Sequence, residues 1–443
     1  MTAAVRRAYA ILAAALAAAA PSSAAEPLGP CGPVDRAHEA IELPVVQLRR
    51  LGKTPLERLG LVAFRGGRAQ AIPFQVDERR GRKVALADGP EPLDDDRPGM
   101  LDPDDVLVFM VCDAGERKDA RPLEASLPES DPLAAWREIE VRDPRTAKTA
   151  YAYLVVAEKP PRTTRRYVDY TPEGDLVASA SYRVGLVSAL PTYLALLRNG
   201  SPTANLLDGP RLRVHATLLA NLADFTLHER QGKHRLIAWK AGPVRVVRRS
   251  RHYVSIGFGI ELSAGVANTY FYAQHVYGPG SMKLPFSPSV FFRDIDAIGG
   301  ADGRDLRGWR YHANGVPAGG YAIDGPPSLE ESRFTAIGSW FALAEHERAI
   351  LFAVRLSENL AREVPLHLVY RDDAGTPFPP EEVPGTVPLV GFQGHHIERL
   401  PGGRYQFALH IFSLPKFAPG DEAGVLRNLD EPATVAVTAA GAG

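Results

Sequence analysis

The chain has 443 residues, of which 45% are hydrophobic and 23% charged, with 51 Lys+Arg against 52 Asp+Glu. This is the composition of a globular protein, made turn-rich by 40 Gly and 38 Pro, and it excludes a disordered polymer, a collagen and a coiled coil. The near-zero net charge predicts no nucleic-acid partner, and the length exceeds what one hydrophobic core usually serves, which predicts two domains.

At the start of the chain, Arg6 and Arg7 precede the apolar run Ala8 to Ala20, and Pro21-Ser22-Ser23-Ala24-Ala25 follows. A basic pair, a short apolar stretch and small residues together predict a cleaved secretory signal over residues 1–25. The run is too short and too rich in Ala to anchor the chain across a bilayer, and no other run of spanning length occurs. The mature protein is therefore expected to be exported, to the periplasm or the cell exterior, without a transmembrane segment. Its two cysteines, Cys31 and Cys112, then reach an oxidising compartment, where a disulfide can form. Cys112 also closes the apolar run Val106 to Val111, where a free thiol behaves as a small hydrophobe, so both states fit the pattern. Lipidation of Cys31 is disfavoured by Pro30 directly before it.

From residue 40 onward, short runs rich in Val, Ile, Tyr and Phe alternate with Gly, Pro and Asp turns, the signal of β-strands. Gly60 to Arg65 and Ala69 to Val76 read as a hairpin closed by Gly66-Gly67. Between residues 94 and 105 the sequence DDDRPGMLDPDD places acids at positions 1, 3, 9 and 12, glycine at 6 and an apolar residue at 8, the spacing of an EF-hand-type calcium loop. The expected ligands are Asp94, Asp96, Asp102 and Asp105 with the Met100 carbonyl; Pro98 breaks the pattern, and the competing reading is an acidic turn. Arg137 to Val141 and Ala150 to Val156 form a second hairpin, and Lys159-Pro160-Pro161-Arg162 reads as a linker. The expected division is a smaller N-terminal β-sandwich over 26–160 and a larger one over 161–443.

The second region carries longer alternating runs, among them Arg211 to Thr217, Val244 to Tyr253, Asn268 to Tyr277, Ala349 to Leu356 and Tyr405 to Phe412. Leu190, Leu194 and Leu197 give Leu186 to Arg198 the best helical spacing in the chain. Strands at regular intervals without βαβ alternation predict an all-β, antiparallel architecture.

Beyond the acidic loop, two groups of residues could carry chemistry. Between Gln231 and His252 there are seven Lys/Arg and no acid, and a hairpin turning at Ala241-Gly242-Pro243 would project Arg245, Arg249 and Arg251 to one face for an anionic ligand. The bland reading is a charged face paired with acids from other strands. Tyr311, His312 and His395 are the weak candidates for acid–base catalysis. No H-E-x-x-H, G-x-S-x-G or nucleotide loop is present.

Pro73-Phe74-Gln75-Val76-Asp77-Glu78, the acidic loop and the strand Val106 to Met110 resemble a family of secreted bacterial β-proteins in which a "PFQIDE" strand precedes a calcium-type loop. Gly242-Pro243-Val244-Arg245-Val246-Val247-Arg248-Arg249 is similar to a strand of galactose-mutarotase-like supersandwich domains. These resemblances imply a supersandwich-like larger domain and a carbohydrate context, with calcium as the one implied cofactor and an anionic polysaccharide as the implied partner. The expected function is binding or accessory processing of an anionic envelope or extracellular polysaccharide. Its rivals are a lyase or hydrolase acting on uronic-acid polymers, and a non-catalytic envelope component that meets protein partners.

Overall fold

A computed structural model describes residues 25–48, 51–118, 123–127, 133–187, 190–198, 200–218, 223–255, 261–375 and 386–439. The predicted signal at 1–25 lies outside these residues except for Ala25. The protein is all-β: strands dominate, every strand pairing is antiparallel, and helices are short connectors. No helix among the described residues is long and apolar enough to cross a membrane.

Two sheets build the N-terminal sandwich. One has the order Ala40–Pro44, Val106–Met110, Gln75–Asp77. The other has the order Thr434–Ala439, Ala135–Arg142, Thr149–Val156, Leu59–Arg65, Arg68–Ala71. Leu59, Leu61 and Ala63, with Ile139 and Leu154 of the same sheet, share one core with Leu107 and Phe109 of the other. Gly66 and Gly67, at φ 56° and 72°, supply the left-handed pair that a two-residue hairpin turn demands. The chain's last described strand thus closes the N-terminal sheet, which a linear division at residue 160 does not contain. Arg36, 1% exposed, pins that return: it donates to Asp143 at 2.7 Å and to the Glu431 carbonyl at 2.8 Å.

The larger core is lined by a nine-stranded sheet and two five-stranded sheets. The nine-stranded sheet runs from Gly232–Ala241 through Gly403–Leu414 to Tyr321–Ala322. In one five-stranded sheet, Leu190–Arg198 pairs with Tyr182–Val187 as a strand, which corrects the helical reading of this stretch. Pairing with both neighbours outweighs the leucine spacing, and Leu194 and Leu196 enter the main core together. Residues 268–277 are a strand, a turn at 272–274 and a second strand rather than one run. The other five-stranded sheet has the order Asp224–His228, Leu207–Leu218, Phe292–Gly303, Leu389–Gly394, Leu366–Arg371.

Val106–Met110 serves both cores. Val106, Val108 and Met110 enter the larger one while Leu107 and Phe109 enter the N-terminal one, because successive side chains leave opposite faces of a strand. Cys112, just beyond this strand, is joined to Cys31 in a disulfide.

Candidate functional site

The Leu207–Leu218 sheet turns one face to the larger core through Leu368 and Val390 and leaves the other face polar. Alternation puts Arg213 and His215 on that polar face. Strand register sets Arg213 beside His228 on one neighbour and Ile298 on the other, and His215 beside Thr226 and Asp296. Ile298 faces Gln393, which faces His367. Gly300 and Gly391 follow in the same two files, where a Cβ would meet the opposing backbone at 2.2 and 2.5 Å, so these two strands can approach closely only with glycine.

The result is an open cleft of about 490 Å³ lined by Arg213, His215, Thr226, His228, Asp296, Ile298 and Gln393. His215 Nδ1 lies 3.1 Å from Thr226 Oγ1. His395 Nδ1 lies 3.0 Å from Asp296 Oδ1, and its ring sits 5.0 Å from that of His367. All these side chains are half-buried, so they are oriented by neighbours yet open to a ligand. Beyond them Arg211 donates to Asp302 at 2.7 Å; burial raises the Asp302 carboxyl above its ordinary range, against the pull of Arg211. A second cleft, of about 280 Å³, is lined mainly by Leu56, Ile72, Phe74, Val76 and Pro243 with Arg162 as its one charged group, and offers no acid–base chemistry.

The expected basic face is corrected. Arg245 is 0% exposed and lies in the turn, where it pairs with Asp77 at 2.6 Å and Glu42 at 2.5 Å, donates to the Tyr272 hydroxyl and covers the Tyr270 ring. Burial works to raise the Asp77 carboxyl, but Arg245 and Lys240 outweigh it and hold it below its ordinary value. Arg249 is buried, donating to Asn268 Oδ1 and the Val84 carbonyl at 2.9 and 2.7 Å, and Arg251 pairs with Glu91 at 2.5 Å. Arg248 pairs with Asp175. The hairpin's cations are therefore matched by acids and carbonyls distant in sequence, many of them from the N-terminal strands.

The Pro73–Glu78 motif supplies that match. Gln75 Oε1 accepts from the Val244 and Arg245 amides at 3.1 and 2.9 Å, and Gln75 Nε2 donates to Asp77 at 2.7 Å. A Cβ at Gly242 would stand 2.0 Å from Gln75 Oε1, so the two resembling motifs dock on each other through a glycine.

The acidic loop also departs from its expected use. Asp94 and Asp96 are exposed, and Asp96 pairs with Arg80 at 3.0 Å. Asp102 pairs with Arg97 at 2.5 Å, while Asp105 accepts from the Arg79 and Asp102 amides at 2.9 and 2.7 Å. Burial, reinforced by Asp95 and Asp102, pushes the Asp105 carboxyl up to about 6. Among the described residues no three of the carboxylates of Asp94, Asp96, Asp102 and Asp105 bring ligand atoms within 4.8 Å of one another. Pro98 at the fifth position and a strand in place of the second helix leave the loop acting as a set of turn caps.

Tyr311 is 0% exposed and stacked on Tyr370 at 4.2 Å; burial raises its hydroxyl far above the ordinary range, which removes it as a base. His312, 7% exposed, meets the edge of Phe417 and is lowered by burial. Of the three catalytic candidates, only His395 lies beside the cleft. Arg213, His215, His228, Asp296 and Gln393 were not legible as a local cluster. Their signal is period-two polarity inside strands, as in Arg211-x-Arg213-x-His215 and Gln393-x-His395.

No protein-family profile matches the chain, and no curated protein is significantly similar to it. Among solved structures, an α-mannosidase from Enterococcus faecalis V583 is similar at 10% identity and a TM-score of 0.42, over 90% of this chain and 44% of that one. A glycosyl hydrolase family 38 protein from Enterococcus faecalis gives 10% identity and a TM-score of 0.46, over 92% and 46%. HI1317 gives 8% identity and a TM-score of 0.28, over 55% and 97%. The chain spans less than half the length of the two Enterococcus proteins.

Proposed function

We propose that this is an exported protein that binds an acidic oligosaccharide along the polar face of the Leu207–Leu218 sheet. The observation that carries the reading is the cleft itself, where an Arg, two His, a Thr, an Asp and a Gln converge on one side of a sheet whose other side is core. Planar and hydroxyl-bearing side chains suit sugar hydroxyls, and Arg213 suits a carboxylate. The Cys31–Cys112 disulfide supports an oxidising compartment, in keeping with the signal at 1–25. Calcium has no part in this reading.

A second reading, proton abstraction from a uronate, is favoured by one contact. Asp296 holds His395 through Nδ1, which leaves Nε2 as the basic nitrogen of a ring already oriented. Arg213 would neutralise the substrate carboxylate as His395 takes the C5 proton and the C4–O glycosidic bond breaks, leaving a C4–C5 double bond on one sugar and a free hydroxyl on the other.

Calorimetric titration with uronate oligosaccharides at low and moderate salt tests binding. The expected result is uptake that weakens with salt and falls about tenfold or more in Arg213→Ala, the cost of one charge-assisted hydrogen bond, roughly 1.5–3 kcal/mol. Equal binding by wild type and Arg213→Ala refutes the site. Ultraviolet absorbance of an unsaturated product, present in wild type and absent in His395→Ala, selects the second reading.

A further inference from the structure

We propose that Asp294, His396 and Glu398 form a site for one divalent transition-metal ion, zinc in first place, at the end of the polar sheet face. The proposal goes beyond glycan binding and does not depend on it. The three side chains come from two segments that the fold brings together: Asp294 from the strand Phe292–Gly303, and His396 and Glu398 from the turn after Leu389–Gly394. One ligand atom from each lies within 4.8 Å of the others.

The separations resemble a coordination sphere more than a hydrogen-bonded cluster. His396 Nδ1 and Glu398 Oε1 are 3.4 Å apart, long for a hydrogen bond. Ligand bonds of about 2.0–2.2 Å at tetrahedral angles put neighbouring donor atoms roughly 3.4 Å from each other. Glu398 is 4% exposed, and its two oxygens are treated differently. Oε2 accepts from the Ile295 amide at 2.8 Å, the kind of outer contact that fixes a metal-binding carboxylate. Oε1 is approached by His396 at 3.4 Å and by Arg399 at 3.5 Å.

His396 reaches its place through a left-handed backbone conformation. Its φ of 58° and ψ of 36° lie in the left-handed region, which His enters more readily than most side chains and glycine most readily of all. No helix-capping bond from its side chain accounts for this conformation.

The donor set selects the metal. One imidazole and two carboxylates suit zinc, with manganese weaker in the usual affinity order, and are too nitrogen-rich and too few for calcium. Three protein donors leave a fourth position open. Two of the ligands neighbour cleft residues along the chain: Asp294 lies two residues before Asp296, and His396 directly follows His395. Without metal, Arg293 at 3.0 Å from Asp294 and Arg399 beside Glu398 balance the acids; their side chains are 56% and 65% exposed, free to swing into solvent when a cation enters.

Calorimetric titration of the disulfide-bonded protein with zinc chloride, then with manganese chloride, tests the site. His396→Gly is the decisive variant, because glycine accepts φ 58° without strain and the fold should melt no lower than wild type. The expected result is one equivalent of zinc, bound more tightly than manganese, and at least a tenfold loss of affinity in His396→Gly and Glu398→Gln. His234 and His252, 2.6 Å apart between ring nitrogens, are an imidazole pair outside the site, and their double Ala variant should bind zinc as wild type does. No zinc uptake, equal affinity in His396→Gly, or loss of binding only in the His234/His252 variant overturns the proposal.

Discussion

Arg245 holds a full charge with no exposed surface, and it does so only because Asp77, Glu42 and Tyr272 surround it. A buried ion pair is a modest source of net stability, yet removing one partner strands the other in a low dielectric. Arg245→Ala therefore leaves Asp77, also 0% exposed, without its main counter-charge. The expected loss in a urea or guanidinium titration is about 3–5 kcal/mol. Arg251→Ala, whose pair with Glu91 is one-third exposed, should cost no more than about 1 kcal/mol. Comparable losses for the two variants would show that the hairpin's cations do not differ in role. Neither change touches the cleft, so the pair also separates folding from ligand binding.

At the scale of elements, the strand Thr434–Ala439 closes the outer edge of Ala135–Arg142 over six registered residues, from Thr434 opposite Arg142 to Ala439 opposite Arg137. Deleting residues 434–443 should uncover that edge, lower the melting temperature and promote association, since an unpaired strand is a template for another chain. Light scattering and thermal melts of the truncated protein check this; an unchanged melt would show the strand to be dispensable. No feature of the sequence announces this pairing, because Thr-Val-Ala-Val-Thr-Ala is a strand signal without an address. The hairpins were legible because their turn chemistry and alternation are local, although the strand expected over Ala69–Val76 ends at Ala71, and Gln75–Asp77 crosses to the other sheet. The seven cations of the basic stretch were visible too, but their partners at 42, 77, 91 and 175 are fixed only by tertiary contact. The cleft was hidden for the same reason: its polar residues are spread over strands from 207 to 394, and each contributes one or two. His395 was legible as a titratable residue, whereas its partnership with Asp296 depends on sheet register.

For the whole molecule, acid is the expected weak point. His234 and His410 are held down to about 4, chiefly by burial, with His252 and Arg355 adding to the effect; His38 is held there by burial alone, and His275 lies well below its ordinary value. The unfolded chain takes up these protons from about pH 6.5 and the folded one only near 4, so stability is intact above 6.5 and declines as pH falls through that window. Asp105 and Asp113, both raised to about 6 by burial, work in the opposite sense and offset part of the loss below that pH. Melting temperature against pH should therefore fall on acidification, and His410→Phe, filling the stack with Phe412 and Tyr277, should flatten the slope. An identical slope in the variant would remove His410 as a source. The return of residues 434–439 to a sheet begun near residue 59 has a further consequence, in time rather than in energy. A chain made from its N-terminus exposes Ala135–Arg142 some three hundred residues before its partner strand exists. The first sheet can be nucleated early but finished only once residues 434–439 have been made, so the edge of Ala135–Arg142 stays unpaired for the whole of that interval.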